Sequence, residues 1–560
     1  MEGLAAAAAV VLLVAAGASI ASPLQRRASA LALAGFALLA LSLFSFTIDD
    51  AYISLRYGRN LAAGLGPVFD AQPAREGYSS PLWVALSAVP FLFHLSADAA
   101  AVGLKAAGLV FGLLTIVSTS LLVRAHSGSA RATHTAVVLL ASLPWLAFWS
   151  VGGLETPLYC ALIVWSLLLH AREHQSGRSH AGCAVPLALI TLTRPEGIAV
   201  ALAILLADPV AGLFRGKDDA RGPLRPMGGS WRRALPALLV VGACWGAHEW
   251  WRISYYGSAL PSTFQAKAGL TLHALKTRAL ELLPLAAAMA PLIVAAAWTR
   301  AARAALPNAA WGAAFALAAF AVVPRLEGGP GFRYEVPLFP LLAAAAAMGL
   351  DTAFREGRAR LTGRLVTPVL VIALLLPMIW LWRPARFSPS TVEIALGRWL
   401  GAYAPEARLA VYDLGAVPYF SAAPWVFDTN PAGPLSPFLH RAYELDELVR
   451  WSPSFLVLPP ESADPSKDRL AGLYLLPAFK RDYVLVFDLE TEDGYRMLVW
   501  KRRDAILREG AVPAAEAAGL YQRRVSRSTG GRPKYSYALA VATRPREVRS
   551  RNPAWIRNGS

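Results

Sequence analysis

Long apolar runs separated by short polar segments fill most of the chain up to residue 383. They occupy residues 4–22, 31–47, 100–123, 135–149, 157–169, 235–247, 282–298, 311–323, 336–350 and 366–382. An α-helix needs about twenty consecutive apolar residues to cross a bilayer. Together with the interrupted runs described next, this pattern predicts a polytopic α-helical membrane protein with about 11–13 transmembrane segments.

Two further apolar runs have more than one interpretation. Run 81–95 is about half of a comfortable span. Run 183–206 contains TRPEG at 193–197, and a proline between two charged residues breaks a helix. If 81–95 does not cross, and 183–206 forms two short halves that meet near the outer face, the basic loops all lie on one side, as cytoplasmic loops do. If instead 81–95 crosses and 183–206 is one helix, two basic loops lie outside. We favour the first arrangement.

The favoured arrangement gives the polar loop 49–80 a definite side of the membrane. That loop lies on the extracytoplasmic face, together with the segments GGLETP, RPEG, YYGSALPSTFQAK and EGGPGFRYEVP. Polar and charged residues beside a bilayer are energetically costly and indicate function. The sequence therefore predicts one extracytoplasmic site that is built from several loops.

After residue 383 the hydropathy falls and short alternating or apolar runs appear. Runs at 409–412, 425–427, 455–458, 483–487 and 495–500 are bounded by Pro, Gly, Asp and Ser, which is typical of strands. We predict a transmembrane domain over 1–383, a small extracytoplasmic α/β or mostly β domain over 384–503, and a basic, weakly ordered tail over 504–560.

Composition narrows the class of protein. The 560 residues are 56% hydrophobic with a mean hydropathy of +0.43, which excludes an ordinary soluble protein. The net charge of +17 lies in short loops and the tail, so it marks cytoplasmic loops rather than a nucleic-acid surface. Three cysteines in or beside apolar runs, and the absence of CxxC, HExxH and Walker motifs, predict no cofactor and no metal cluster. A single divalent cation on Asp49 and Asp50 is left open.

Asp49 and Asp50 are the first candidates for chemistry, because two adjacent carboxylates appear where an apolar run stops. One interpretation is a helix end whose polar residues lie among lipid headgroups. The other is a catalytic site, because Tyr52, Arg56 and Arg59 follow at helical spacing and give a short helix a cationic, aromatic face. A carboxylate near cations suits a general base that acts on a sugar hydroxyl beside an anionic lipid phosphate.

Several motifs resemble one superfamily. The run DDAYISLRYGRNLAAGLG, followed by EGYSSPLW, resembles the first external loop of GT-C membrane glycosyltransferases, and most closely the branch of the mycobacterial terminal arabinofuranosyltransferases. Further matches are GGLETPLY at Gly152, LTRPEG at Leu192, YYGSALPSTFQAK at Tyr255 and GGPGFRYEVPLFP at Gly328, with fainter ones in YDLGAVPYFS and WVFDTN.

The resemblance implies a polyprenyl-phosphate sugar donor and an inverting direct displacement. It assigns the base to Asp49 and a supporting or acceptor-binding role to Asp50. A single sugar, a pentose such as arabinofuranose or a hexose, would pass to a hydroxyl of a cell-envelope glycan or glycolipid outside the bacterial inner membrane. Relatives often carry an acid and a tryptophan after the late Gly-Gly pair, whereas Pro330 to Arg333 follow here, which puts the donor contact of that loop in doubt.

Polar and aromatic residues of the same loops are the predicted substrate contacts: Tyr52, Arg56, Arg59, Asn60, Glu76, Tyr78, Glu155, Arg194, Glu196, Tyr256, Lys267 and Arg333. Some have plainer interpretations. Arg194 and Glu196 could form an internal ion pair, Glu155 could stabilise a helix N-terminus, and Lys267 could be an interfacial cation. The guanidinium of Arg333 suits bidentate recognition of a lipid phosphate.

A non-enzyme is the competing class. A flippase or transporter of lipid-linked saccharides also needs many spans and intramembrane charges. Such proteins usually lack a long acidic external loop, and they commonly have weak internal repeats. This sequence has such a loop at 49–80 and no convincing repeat, so we favour a glycosyltransferase.

Overall fold

The computed structural model describes most of the chain. It covers residues 2–18, 24–213, 227–263, 272–297, 308–322, 332–356, 363–377, 390–430, 433–437, 445–460, 472–490, 496–518 and 520. The predicted boundary at 383 and most of the predicted tail lie outside these residues.

Helices make up the first part of the chain. They are α1 (Glu2–Ala18), α2 (Gln25–Ser42), α3 (Asp50–Ala62), α4 (Pro81–Leu92), α5 (Ala97–Ser127), α6 (Ala130–Ala141), α7 (Pro144–Val151), α8 (Thr156–Ser176), α9 (Ala181–Thr191), α10 (Gly197–Leu213), α11 (Met227–Tyr256), α12 (Leu272–Ala297), α13 (Asn308–Val322), α14 (Phe339–Arg355) and α15 (Gly363–Leu375). A short 3₁₀ turn, Val336–Leu338, leads into α14.

Several of these helices have the length and composition of membrane spans. Within the described residues three do so, Ala97–Ser127, Lys276–Ala296 and Val336–Arg355, and the pair α6 and α7 makes a fourth if it counts as one span. Shorter apolar helices of 10–17 residues are Gly3–Gly17, Pro81–Leu92, Ala181–Thr191, Gly197–Ala211, Asn308–Ala321 and Val366–Leu375. The predicted class of an apolar helical protein with a small C-terminal α/β region is confirmed.

The predicted run 135–149 is not one helix. It bends by 61° between α6 and α7. Leu143 leaves the helical region with ψ 107°, because the residue before a proline is pushed towards extended conformations and Pro144 begins the next helix. The hydropathy of the run is continuous across this break, so an apolar count alone does not detect it.

The two ambiguous runs form short helices that meet. Helix α4 has 12 residues, about 18 Å, which is well short of a bilayer of about 30 Å. The predicted break at 193–197 is present, since α9 ends at Thr191 and α10 begins at Gly197. The N–H of Leu82 at the start of α4 donates to the carbonyl of Leu192, just after the end of α9, at 2.9 Å. The start of α4 is therefore in direct contact with the break between α9 and α10.

The C-terminal part is a five-stranded mixed sheet. Its strands are β1 (Arg408–Val411), β2 (Trp425–Asp428), β3 (Phe455–Leu458), β4 (Tyr483–Glu490) and β5 (Arg496–Arg502) in the order β2-β1-β3-β5-β4. Strand β1 pairs in parallel with β2 and β3, and β5 pairs antiparallel with β3 and β4. Each predicted strand is present, and the parallel pairs with their helices make the domain α/β rather than mostly β.

Helices complete the sheet domain. They are α16 (Ser390–Tyr403), α17 (Ala416–Ser421), α18 (Leu445–Arg450), α19 (Pro477–Asp482) and α20 (Ala511–Ala517). Helix α20 lies beyond the predicted domain end at 503. The indole N–H of Trp399 donates to the carbonyl of Ala511 at 2.8 Å, and Ala515 is fully buried in the same core. The packed region therefore continues into the segment that was predicted to be a tail.

The first polar loop and the sheet share one hydrophobic core. Ile53, Tyr57 and Phe69 of the loop region belong to the same buried cluster as Leu409 and Val411 of β1. Because apolar burial is the main stabilising term in folding, the loop is held in place by the sheet domain as well as by the helices.

Candidate active site

Asp49 is held by the backbone of the sheet domain. It stands immediately before α3, yet its side chain does not cap that helix. Its Oδ2 accepts from the N–H of Gly415 at 2.9 Å, and its Oδ1 accepts from the N–H of Ala416 at 2.7 Å. A Cβ at position 415 would overlap the carboxylate, so only glycine allows this approach. Two donors from one rigid turn fix the orientation of the carboxylate.

The electrostatic setting raises the pKa of Asp49 to about 7. Burial is the largest cause, the nearby carboxylate of Asp413 is the next, and Asp50 adds to it, while the two backbone N–H groups lower the pKa. Asp50 is half-buried and makes no hydrogen bond or ion pair with the residues that the structure describes. The site therefore places carboxylates from α3 and from the sheet domain close together.

Arg56 and Asn60 hold the loop rather than line an open site. Arg56 is buried, and its guanidinium donates to the carbonyls of Phe69 at 2.6 Å, of Ala423 at 2.5 Å and of Pro418. Asn60 Nδ2 donates to the same Phe69 carbonyl at 3.1 Å. The predicted substrate contacts at these two positions are thus occupied by main-chain acceptors, because the helix face they share packs against the sheet domain.

Tyr52 and Arg59 lie beside the Asp49 turn. The buried ring of Tyr52 packs on Tyr419 and Phe420, with centroids 5.5 and 5.4 Å away. Arg59 donates to the carbonyl of Tyr419 at 3.0 Å and has its guanidinium 5.4 Å from that ring. Burial lowers the pKa of Arg59.

A second polar group surrounds Glu155. Arg333 Nη2 donates to Glu155 Oε1 at 2.5 Å, and Arg194 Nη1 is 3.9 Å from the same oxygen. Arg194 Nε pairs with Glu196 at 2.6 Å, and its guanidinium lies 4.4 Å from the ring of Tyr334. Burial raises the pKa of Glu155, but the two arginines outweigh it and hold that pKa below its ordinary value. The predicted ion pair of Arg194 and Glu196 is present within a larger network.

Some donors of this group have no acceptor. Arg194 Nη1, Arg333 Nε, the hydroxyl of Thr156 and the hydroxyl of Tyr159 are buried and make no hydrogen bond within the described part of the chain. Buried polar atoms are paired in the large majority of cases. These four unmatched groups beside Glu155 can therefore donate hydrogen bonds to an anionic oxygen of a ligand.

A third group lies where loop 49–80 meets α11. Arg252 Nε pairs with Glu76 at 3.0 Å and its Nη1 contacts Glu249. Burial raises the pKa of Glu76 to about 7 despite Arg252. The hydroxyls of Tyr78 and Tyr256 are 3.1 Å apart. These contacts join the far end of the loop to α11.

The backbone connects the Asp49 turn to the Glu155 group. The N–H of Ile48 donates to the carbonyl of Gly152 at 3.2 Å, and the indole of Trp83 donates to the carbonyl of Gly153 at 3.1 Å. Gly153 has φ +90° and its α-carbon faces Ala51 so closely that a Cβ would contact it at 2.8 Å. Two of the predicted external segments, loop 49–80 and GGLETP, therefore meet beside the start of α4.

The structure sorts the predicted site residues into groups. The first group contains Asp49, Asp50, Tyr52 and Arg59. The second group contains Glu155, Arg194, Glu196 and Arg333, and the third contains Glu76, Tyr78 and Tyr256. Arg56 and Asn60 belong to the joint with the sheet domain, and Lys267 lies outside the described residues.

Sequence reasoning missed residues that complete these groups. Asp413 and Tyr419 belong to the faint match YDLGAVPYFS. The position of Asp413, two residues before Gly415, was the signal that could have identified it. Tyr159 follows Glu155 by one helical turn in GGLETPLY, and Tyr334 is adjacent to Arg333. For Tyr159 and Tyr334 the signal was proximity to a named charge.

Comparisons with known proteins agree with this architecture. No protein-family model matches the chain. By sequence, the chain is 28% identical over 248 residues to the terminal β-(1→2)-arabinofuranosyltransferase of Mycobacterium tuberculosis. The match covers 39% of this chain and 34% of that protein, so the chain spans about a third of the length of this relative.

Solved structures extend the likeness over most of the chain. ArnT from Cupriavidus metallidurans superposes with a TM-score of 0.55 at 16% identity, over 84% of this chain and 96% of that chain, in its apo state. Its complex with undecaprenyl phosphate gives 0.51 at 15% identity over 84% and 97%. An Archaeoglobus fulgidus oligosaccharyltransferase tethered with an acceptor peptide gives 0.50 at 12% identity over 84% and 74%.

Proposed function

We propose that this chain, whose fold is that of the GT-C membrane glycosyltransferases, is an inverting glycosyltransferase that moves one sugar from a polyprenyl-phosphate donor to a hydroxyl acceptor. The observation that carries the proposal is the Asp49 carboxylate, which two backbone N–H groups orient and whose pKa burial and neighbouring carboxylates raise. The likeness to an arabinofuranosyltransferase supports the same reaction class.

Asp49 is the general base. A catalytic base works best when its pKa lies near the working pH, and the pKa of Asp49 is raised to about 7. Each carboxylate oxygen accepts one backbone hydrogen bond and keeps a further lone pair for the acceptor hydroxyl. Asp50, half-buried beside it, has the supporting or acceptor-binding role.

Arg333 and Arg194 bind the donor phosphate. Each retains a buried N–H without an acceptor, and a guanidinium binds phosphate oxygens in a fixed geometry. Glu155 orients both side chains through its ion pairs. The undecaprenyl phosphate bound to ArnT supports a lipid carrier of this kind.

The reaction is one displacement. The acceptor oxygen bonds to the anomeric carbon while the bond from that carbon to the phosphate oxygen breaks. The electron pair leaves with the phosphate, whose charge the arginines stabilise, and the acceptor proton passes to Asp49. A single displacement inverts the configuration of the sugar.

The finer assignments are part of the same proposal. The sugar is a pentose such as arabinofuranose or a hexose, and the acceptor is a cell-envelope glycan or glycolipid. The site faces the exterior of the bacterial inner membrane, as the segregation of basic loops supports. No cofactor is invoked.

Sugar transfer by the purified full-length protein tests the proposal. Synthetic polyprenyl-phosphate donors carrying a pentose or a hexose are offered with cell-envelope glycan acceptors. We expect Asp49→Asn to lower the transfer rate by about 10²–10⁴-fold, the usual contribution of a general base. Asp504→Asn, at a surface aspartate of the sheet domain that is 70% exposed, is the matched control.

Two outcomes would contradict the proposal. Full transfer by Asp49→Asn would remove the base assignment while leaving the reaction class intact. No transfer from any donor, together with movement of the lipid-linked saccharide across vesicles that contain the protein, would identify a transporter instead.

A further inference from the structure

Three histidines stack where α8 turns into α9. His170 and His174 lie one turn apart near the end of α8, and His180 precedes α9. The rings of His170 and His180 have centroids 4.1 Å apart and are inclined by only 18°. The ring of His174 is nearly parallel to that of His180, with centroids 6.4 Å apart.

Carboxylates and a thiol surround the rings. Asp208 of α10 has its Oδ2 3.1 Å from His174 Nδ1 and 3.8 Å from His170 Nε2. Glu173 has its Oε2 3.9 Å from His180 Nδ1. The ligand atoms of Glu173, His180 and Cys183 all lie within 4.8 Å of one another. Imidazole, thiolate and carboxylate are the donor types that bind zinc.

Two of the three histidines, His170 and His180, have ring nitrogens without the partners that buried polar groups normally have. His170 is only 1% exposed, and neither of its ring nitrogens makes a hydrogen bond with a described residue. The same holds for His180 Nδ1. An imidazole is rarely buried without a partner, because its nitrogens lose their hydrogen bonds to water. The unmatched nitrogen of His180, which lies beside a thiol and a carboxylate, is therefore suited to bind a metal ion.

We propose that this cluster binds one divalent transition-metal ion of the zinc type, with Glu173, His180 and Cys183 as ligands. His170, whose ring stacks on that of His180, and Asp208, which lies 3.8 Å from His170 Nε2, lie beside these ligands and hold the His180 ring in place. In this histidine–thiolate site, binding releases the thiol proton of Cys183, and the ligand atoms draw together around the ion.

The site is distinct from the catalytic one. Glu155 and Glu173 stand at opposite ends of α8, about 27 Å apart along its axis at about 1.5 Å per residue. The metal would clamp the α8–α9 turn, with Asp208 of α10 as its outer partner. It thereby fixes the helices whose other ends carry Glu155 and Arg194. The site is structural, and it does not depend on which sugar the enzyme transfers.

Metal binding by the full-length protein tests this inference. The protein is prepared in detergent with an affinity tag that contains no histidine, stripped with a chelator and titrated with Zn²⁺ or Co²⁺. We expect one ion per chain, a rise in the unfolding temperature with Zn²⁺, and a cobalt spectrum with tetrahedral d–d bands and a thiolate charge-transfer band. X-ray absorption of the zinc form should give one sulfur at about 2.3 Å and nitrogen and oxygen neighbours at about 2.0–2.2 Å.

Variants assign the ligands. His180→Asn should weaken zinc binding by at least about 100-fold, as the loss of a ligand exceeds that of an outer-shell partner. Cys183→Ser should remove the thiolate band. His94→Asn is the matched control, since His94 is exposed at φ +55°, where asparagine is tolerated.

Two results would contradict the metal site. Wild-type protein that binds no stoichiometric ion, or whose zinc has only oxygen and nitrogen neighbours, excludes this site without recourse to any variant. Binding that is unchanged in both His180→Asn and Cys183→Ser places the ion elsewhere.

Discussion

At the scale of single residues, Asp49 combines a fixed orientation with a raised pKa. The N–H groups of Gly415 and Ala416 hold it, and they favour the charged form. Burial and the carboxylate of Asp413 favour the neutral form more strongly, so the pKa of Asp49 rises to about 7. A carboxylate with this balance can accept a proton near neutral pH and release it again.

The pH dependence of transfer follows from this balance. The base must be deprotonated, so we expect the rate to increase as pH rises through about 7 and then to level off. Asp413→Asn removes the like charge that raises the pKa of Asp49 most and should move the rise to lower pH. Transfer rates between pH 5 and 9 measure this, with Asp504→Asn as the control. A rise that stays in place in Asp413→Asn would contradict the electrostatic origin of the shift.

The stability of the folded protein should change with pH in the opposite direction to the transfer rate. Between the ordinary pKa of 3.8 and the folded value of about 7, the folded protein holds a proton that the unfolded chain has released. The contribution of Asp49 to stability therefore falls as pH rises through that window. Asp49→Asn should lose transfer, yet its unfolding temperature should drop less from pH 5 to pH 8 than that of the wild type. An equal drop would show that Asp49 does not titrate in this range.

Arg333 has two predicted roles, binding the donor phosphate and pairing with Glu155. It is partly exposed at 16% and keeps an unmatched N–H beside Glu155. Arg333→Gln should raise the KM for the lipid donor by about 10-fold, since charge-assisted hydrogen bonds contribute roughly 1.5–3 kcal/mol. The unfolding temperature should also fall, because the substitution removes an ion-pair partner of the buried Glu155 carboxylate. Steady-state kinetics with varied donor measures the effect, and Arg481→Gln, at a surface arginine that is 74% exposed, serves as control. An unchanged donor KM would remove Arg333 from the phosphate site.

At the scale of elements, α3 is a clamp between the membrane helices and the sheet domain. Its Arg56 donates to three carbonyls from two parts of the chain. Gly58 on the same helix lets Ser87 of α4 approach closely, and the Ser87 hydroxyl donates to the carbonyl of Ser54 at 2.8 Å. Both faces of this helix are therefore committed to packing.

Arg56→Lys tests the clamp. A lysine cannot reproduce the planar fork, so at least one buried carbonyl loses its donor. We expect a loss of about 1–3 kcal/mol in the free energy of unfolding. Denaturation in detergent measures it, with Arg481→Lys as the matched change. If Arg56 instead binds substrate, the substitution would raise a KM and leave stability unchanged.

At the scale of the whole molecule, loop 49–80 and the sheet behave as one cooperative unit, because they share a buried cluster. The main chain adds to this contact, since the N–H of Val426 donates to Asp70 at 2.9 Å and the N–H of Ala71 donates to the carbonyl of Pro424 at 2.9 Å. The predicted separation between the first 383 residues and the sheet domain is therefore bridged at the site.

Leu409→Ala tests whether loop 49–80 and the sheet unfold as one cooperative unit. Leu409 is fully buried in β1, and the cavity should cost about 2–5 kcal/mol. Native-state hydrogen exchange should lose protection in α3 as well as in β1, and transfer activity should fall although the substitution lies outside the site. Loss confined to the sheet would show that the two regions unfold separately.

The sequence by itself determined most of the helices and strands and indicated the segments that form the candidate site. Apolar runs indicated the helices, alternation indicated the five strands, and TRPEG indicated the break between α9 and α10, because these are local properties of the chain. Loop charge then grouped the motif segments, and the GGLETP, TRPEG and SSPLW segments do meet in the structure.

Only the tertiary structure decided which polar atoms face each other. Asp49 and Gly415 are separated by 366 positions, and Arg56 and Ala423 by 367. Neither hydrophobic period nor residue spacing encodes a contact of that range, since hydrogen bonds and shared burial arise only after the elements pack. For this reason the sequence placed Arg56 among the substrate contacts, whereas in the structure its guanidinium donates to main-chain carbonyls. Asp413 lies in the faint match YDLGAVPYFS, but only packing shows that its carboxylate adds to the effect of burial on the pKa of Asp49.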